Sequence, residues 1–297
     1  MAKKKKQKEQ LPEGMSRRQA KLAARAAERA KFEKDPRPYE GFSFETDLVA
    51  LQEFVPSAIA KAQAKGKEVH LCTVLPGGGA ALVREDGSIF VALQTQQRSQ
   101  NPHRDLAFAL SWALDAKPGS VLEVGVADGS QPKLEELLDK DQALEIEEFH
   151  DFNWWVPDPS MITPEYAQGL QMANESVLPS QRVKAPATAW WINPGEKAHI
   201  RWVRPEPEDA LMKALARVAA RDELHLGEGS KFAGVFRTHG VLVPVWDLDP
   251  ERAPESYAED LKALDAKLCQ ELENDEPLNA EERRRVETIN SRQVTIR

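Results

Sequence analysis

Cysteine is nearly missing from this chain: Cys72 and Cys269 are the only two among 297 residues. Both sit in apolar helix- or strand-like patterns, which reads as two buried thiols and not as a disulfide or a metal site. Long apolar runs are missing as well, and nothing approaches the roughly 20 residues a spanning helix needs. Residues 1–10 are charged and have no apolar stretch behind them, so they fit neither a secretory signal nor an anchor, and the cytoplasm is the expected location. Histidine is sparse. His70, His103, His150, His199, His225 and His239 lack the His-x-x-x-His or paired-Cys spacing of a metal centre, and no bound metal or cofactor is expected.

Nucleotide and hydrolase signatures are absent too. Pro76-Gly77-Gly78-Gly79 lacks the Gly-Lys-Ser/Thr ending of a phosphate cradle, Gly227-Glu228-Gly229-Ser230-Lys231 has the wrong order, and no Gly-x-Ser-x-Gly elbow occurs. His150-Asp151 beside Glu147-Glu148 fits an acid/base cluster or a solvated acidic strand edge. No catalytic residue is assigned.

Charge is plentiful and unevenly placed. The net charge is −8, yet residues 1–38 hold 13 Lys/Arg against 5 Asp/Glu, so the remainder stands at −16. The lysine run Lys3, Lys4, Lys5, Lys6 and Lys8 cannot pack and is expected to be disordered. A polar Ala/Arg/Lys/Glu stretch follows from Ser16 to Lys34, helix-favouring but almost without an apolar stripe. Lys3–Lys6, Lys8, Arg17, Arg18, Lys21 and Arg25 are the candidate contacts to nucleic-acid phosphates, and RNA or the ribosome is the candidate partner. A solubilising leader explains the same composition.

Beyond the leader the patterns mix helix and strand, and the expected class is α+β. Residues 47–65 read as helical, bent or restarted at Pro56 and stopped by Gly66. Strands are expected at 69–75, 80–84 and 88–95, the last two joined at Asp86-Gly87. A helix follows over 102–117, with Leu106, Leu110 and Leu114 on its buried stripe. The second half repeats the order: a helix over 206–220, strands at 232–237 and 241–248, and a helix over 255–273. Arg84-Glu85-Asp86-Gly87 aligns with Arg237-Thr238-His239-Gly240 at a constant offset, each followed by an apolar strand. This suggests two similar α-β-β-α units, with a pseudo-symmetric site at Arg84 and Arg237. The expected organisation is a tail (1–38), a first unit (39–117), a Trp/Pro-rich segment (118–205), a second unit (206–275) and a charged C-terminal helix and tail (276–297).

Two features of the middle segment bear on function. Val121-Leu122-Glu123-Val124-Gly125-Val126-Ala127-Asp128-Gly129-Ser130 resembles the first motif of an S-adenosylmethionine-dependent methyltransferase, where a strand delivers a glycine turn to a helix N-terminus. Ala127 in the middle glycine position, Pro132 and the missing strand-helix series argue for an ordinary strand and turn. The pairs Trp154-Trp155 and Trp190-Trp191 place one ring of each on either face of a strand, so one must be covered by the chain itself or by a protein partner.

Three phrases carry a resemblance: Arg201-Trp202-Val203-Arg204-Pro205-Glu206-Pro207-Glu208-Asp209-Ala210-Leu211, the stretch Phe236 through Leu248, and the closing Asn290 through Arg297. They resemble an uncharacterised family of actinobacterial proteins, a domain of unknown function spanning nearly all of the chain after the tail. The resemblance implies a bacterial cytosolic protein and brings no activity, cofactor or catalytic residue with it. The expected function is therefore a non-catalytic binding or adaptor protein; methyl transfer and a Trp-mediated scaffold are the alternatives.

Overall fold

The computed structural model describes residues 33–156, 158, 160 and 162–292, together with residues 18 and 22. Backbone contacts divide the chain into residues 1–35 and a compact body, Pro36–Arg297. Pro36 and Arg37 belong to the body: Arg37 grips Glu45 through two 2.7 Å hydrogen bonds and donates to the Pro205 carbonyl at 2.6 Å.

The body is α+β and holds two sheets. The first is ordered β5-β3-β4-β2-β1-β6, where β1 is Ala58–Ala64, β2 Lys67–Cys72, β3 Ala81–Val83, β4 Ile89–Ala92, β5 Val121–Leu122 and β6 Glu145–Glu148. The second is ordered β10-β11-β9-β8-β7, from β7 Ser180–Val183, β8 Thr188–Ile192, β9 Ala198–Val203, β10 Lys231–Thr238 and β11 Val241–Leu248. Helix α1 (Glu45–Glu53) and helix α2 (Pro102–Asp115) lie with the inner faces of both sheets in one core, containing Leu48, Leu71, Val91, Leu110, Trp190 and Val243. The opposite face of the second sheet packs with α4 (Glu208–Ala220), α5 (Ala258–Leu272) and α6 (Ala280–Ser291) around Trp202, Leu215, Trp246 and Leu264. Helix α3 (Pro164–Glu175) starts with Pro164 at its first position, and the Thr163 hydroxyl accepts from the Tyr166 amide at 3.3 Å.

The helix expected over 47–65 stops at Glu53, and Ala58–Ala64 is a strand. Alanine, lysine and glutamine favour helix individually, but Pro56 restricts Val55 to extended backbone. The sequence beyond it alternates with period two, putting Ala58, Ala60, Ala62 and Ala64 inward and Lys61 and Gln63 outward. Gly66 is accordingly a hairpin residue. With Lys65 it forms the β1–β2 turn, both residues in the left-handed region at φ 47° and 76°.

The aligned segments at Arg84 and Arg237 both fall on hairpins, β3–β4 and β10–β11, but the strand order around them differs. Strand β4 runs parallel to β2, whereas β11 runs antiparallel to β9. One thiol also departs from expectation: Cys72 is buried, but Cys269 is exposed on α5, its sulfur 3.7 Å from the Asp265 carboxylate.

Candidate functional site

The lysine run and Arg17, Lys21 and Arg25 lie outside the described residues; Arg18 is exposed and helical. Arg84 and Arg237 are not brought together. Arg84 lies on the outer face of the first sheet, its guanidinium 4.2 Å from the centre of the Phe90 ring and bonded to the Trp154 carbonyl at 2.8 Å. The other side chain stacked on Phe90 is His70, at 4.6 Å. Arg237 is bound to Glu208 at 2.5 Å and to Asn290 at 2.8 Å.

The motif-like segment 121–130 does not form the strand, glycine turn and helix that methyl transfer would need. Val121–Leu122 is a short strand antiparallel to β3, and the next helical turn is the brief Leu134–Glu136 segment. Gly125 has a packing reason: a Cβ there would stand 2.6 Å from the Ala80 Cβ and 3.2 Å from the Ala109 Cβ. Both are rigid with their backbones, so Gly125→Ala should destabilise the fold by about 1–3 kcal/mol, read as a lower midpoint in urea. An unchanged midpoint would contradict this contact.

The tryptophans are largely internal. Trp190, Trp191, Trp202 and Trp246 are buried. Trp154 and Trp155 are half-buried over the outer face of the first sheet, where their indole N–H groups donate to Ser57 Oγ and the Val74 carbonyl at 3.0 Å each. Nearby, Asn153, Ile162, Leu170 and Asn174 line an open recess, and Tyr166, Met172 and Leu178 are exposed.

Buried charge distinguishes three arginines that pattern reading passed over. Arg204, 2% exposed, holds Asp265 and both oxygens of Glu206 at 2.5–3.0 Å and lies 4.4 Å over the Trp202 ring. Arg217 closes the end of α5 by donating to the carbonyls of Glu271, Asn274 and Glu276. Arg201 is different. It is 9% exposed on the inner face of β9, with its guanidinium 5.5 Å from the centre of the Phe54 ring and its charge felt by the His199 imidazole. Burial pulls its guanidinium down to about 10, with no carboxylate to counter the effect, so the group stays charged at neutral pH. A buried cation without a partner costs several kcal/mol. Directly opposite on β8, the Trp190 indole N–H is buried and has no acceptor among the described residues. The sequence signal was present in β9, where His199, Arg201 and Val203 alternate with core residues, but the covering of that face was not legible.

A separate acid–histidine pair joins α1 to the β10–β11 turn: His239 Nε2 lies 2.7 Å from Glu53 Oε1. Burial works to raise the Glu53 carboxyl, but the His239 hydrogen bond and charge, with Arg98 behind, outweigh it and hold it below the usual carboxylate range. The folded value lies below the unfolded one, so this stabilisation is complete above about pH 4.3 and is lost as the pH falls through the folded value. Urea unfolding between pH 7 and 3 should therefore show a smaller acid loss in Glu53→Gln than in wild type. Equal losses would contradict the coupling.

The described residues of the body form a two-sheet α+β structure with buried arginines. The chain belongs to the family of unknown function DUF5926, which matches residues 38–297. No curated protein and no solved structure matches it.

Proposed function

We propose that this is a non-catalytic binding protein of the cytoplasm whose basic leader associates with RNA or the ribosome. The separation of charge carries the reading: residues 1–35 hold 12 Lys/Arg against 5 Asp/Glu, while the chain as a whole is at −8. The geometry of the body supports it, because Arg182, Arg204, Arg221, Arg237 and Arg252 are all engaged by carboxylates. An acidic body repels a long polyanion such as RNA, which leaves the leader as the part able to hold one. No helix among the described residues is long and apolar enough to cross a membrane. Replacing Lys3–Lys6, Lys8, Arg17, Arg18, Lys21 and Arg25 by Gln should abolish RNA binding in a filter assay while leaving the unfolding midpoint unchanged; full retention of binding would refute the proposal. A second reading, docking of a protein on the Trp-rich segment, is supported by the recess and by exposed Tyr166 and Met172 beside it.

A further inference from the structure

The inner face of the second sheet carries a line of hydrogen-bond donors with too few acceptors. Arg201 pairs across the strands with Trp190 on one side and Val245 on the other; one step along, His199 pairs with Ile192 and Asp247. The carboxylates against this face are already engaged: Asp47 accepts from Thr188 at 2.6 Å and from Arg182 at 2.8 Å, Lys197 reaches Asp247 at 3.2 Å, and His199 Nδ1 lies 3.2 Å from Asp247 without hydrogen-bond alignment. The Trp190 N–H is buried without an acceptor among the described residues, and the Arg201 guanidinium, which keeps contact with solvent, has no carboxylate beside it among them. Elsewhere the body supplies oxygens where it buries a guanidinium, as at Arg204 and Arg217. A donor set unfilled from within the chain is matched by an acceptor from outside it.

We propose that Arg201 and the Trp190 indole N–H form the receptor for the oxyanion group of a small ligand, a carboxylate or a phosphate, held against the inner face of the second sheet. The planar guanidinium offers a fork of N–H donors suited to two oxygens of one group, and the indole N–H adds a donor from the neighbouring strand. The residual 9% exposure of Arg201 marks where a solute reaches the fork. The Phe54 ring, 5.5 Å away, supplies an apolar wall. Partial dehydration strengthens each bond the anion makes. This site is independent of the leader and of its affinity for RNA.

Thermal unfolding of the full chain provides the test, with sodium phosphate and sodium acetate titrated separately against sodium chloride at matched ionic strength. At saturation one or both oxyanions should raise Tm by roughly 2–8 °C beyond chloride. A response to phosphate alone assigns a phosphoryl ligand, and a response to acetate a carboxylate. Arg201→Met should remove the shift while being at least as stable as wild type in chloride, because it deletes an uncompensated charge. Trp190→Phe should weaken the apparent affinity about tenfold without abolishing the response. No excess over chloride in the wild type overturns the proposal, and so does an equal shift in Arg201→Met, which would place the anion elsewhere. If Arg201→Met does not fold, the wild-type titration and Trp190→Phe decide, and undiminished affinity in Trp190→Phe then counts against the site.

Discussion

Raising the salt from about 50 to 200 mM should weaken RNA binding by the full chain on the order of a thousandfold. Each phosphate neutralised by Lys or Arg releases condensed counterions, and log affinity falls with log salt at a slope set by the number of contacts. Residues 1–35 carry 12 cationic side chains, and engaging about six of them gives a fall of that size. RNAs of unrelated sequence should bind with similar affinity, because phosphate contacts carry no base information. A salt-insensitive or strongly sequence-selective interaction would locate the contacts on the body's aromatic surfaces instead.

Arg204→Ala, one residue past β9, should cost about 3–5 kcal/mol of stability. The side chain ties β9 to α5 through Asp265, turns back on Glu206 with both of its oxygens and covers the Trp202 ring. Its removal leaves two partly buried carboxylates facing each other without a cation and opens a void against the indole. Much of that cost belongs to the abandoned acids. The triple substitution Arg204→Met, Glu206→Gln, Asp265→Asn should therefore recover most of the lost stability. Denaturant unfolding of the single and triple variants reads this directly, and a single-variant loss under about 1 kcal/mol would mean that the network contributes little.

Local grammar was legible in the sequence. The β10–β11 hairpin was visible at Gly240, and the Leu106, Leu110 and Leu114 spacing found α2. What failed was the choice between competing local signals at 58–64, where helix propensity concealed a two-residue alternation that strand pairing with β2 and β6 makes decisive. The buried arginines were illegible for a different reason. Arg204 meets Asp265 and Arg217 meets the end of α5 across 54–61 residues of sequence, so their partners appear only once the helices have packed. Arg201 stands in a recognisable strand, but its inward face is covered by α1 from far upstream, and only that covering turns an ordinary strand arginine into an unpaired buried one. Gly125 shows the converse: a motif-like glycine whose neighbours, Ala80 and Ala109, give it a packing role.

The central claim is that affinity for RNA resides in the leader and not in the body. Its most direct test compares RNA binding by the full chain and by a chain beginning at Pro36, a boundary that preserves the Arg37–Glu45 clasp. At about 50 mM salt the full chain should bind and the shortened chain should not, with both unfolding at the same denaturant midpoint. Equal affinity in the two would contradict the account and move the search for phosphate contacts onto the body.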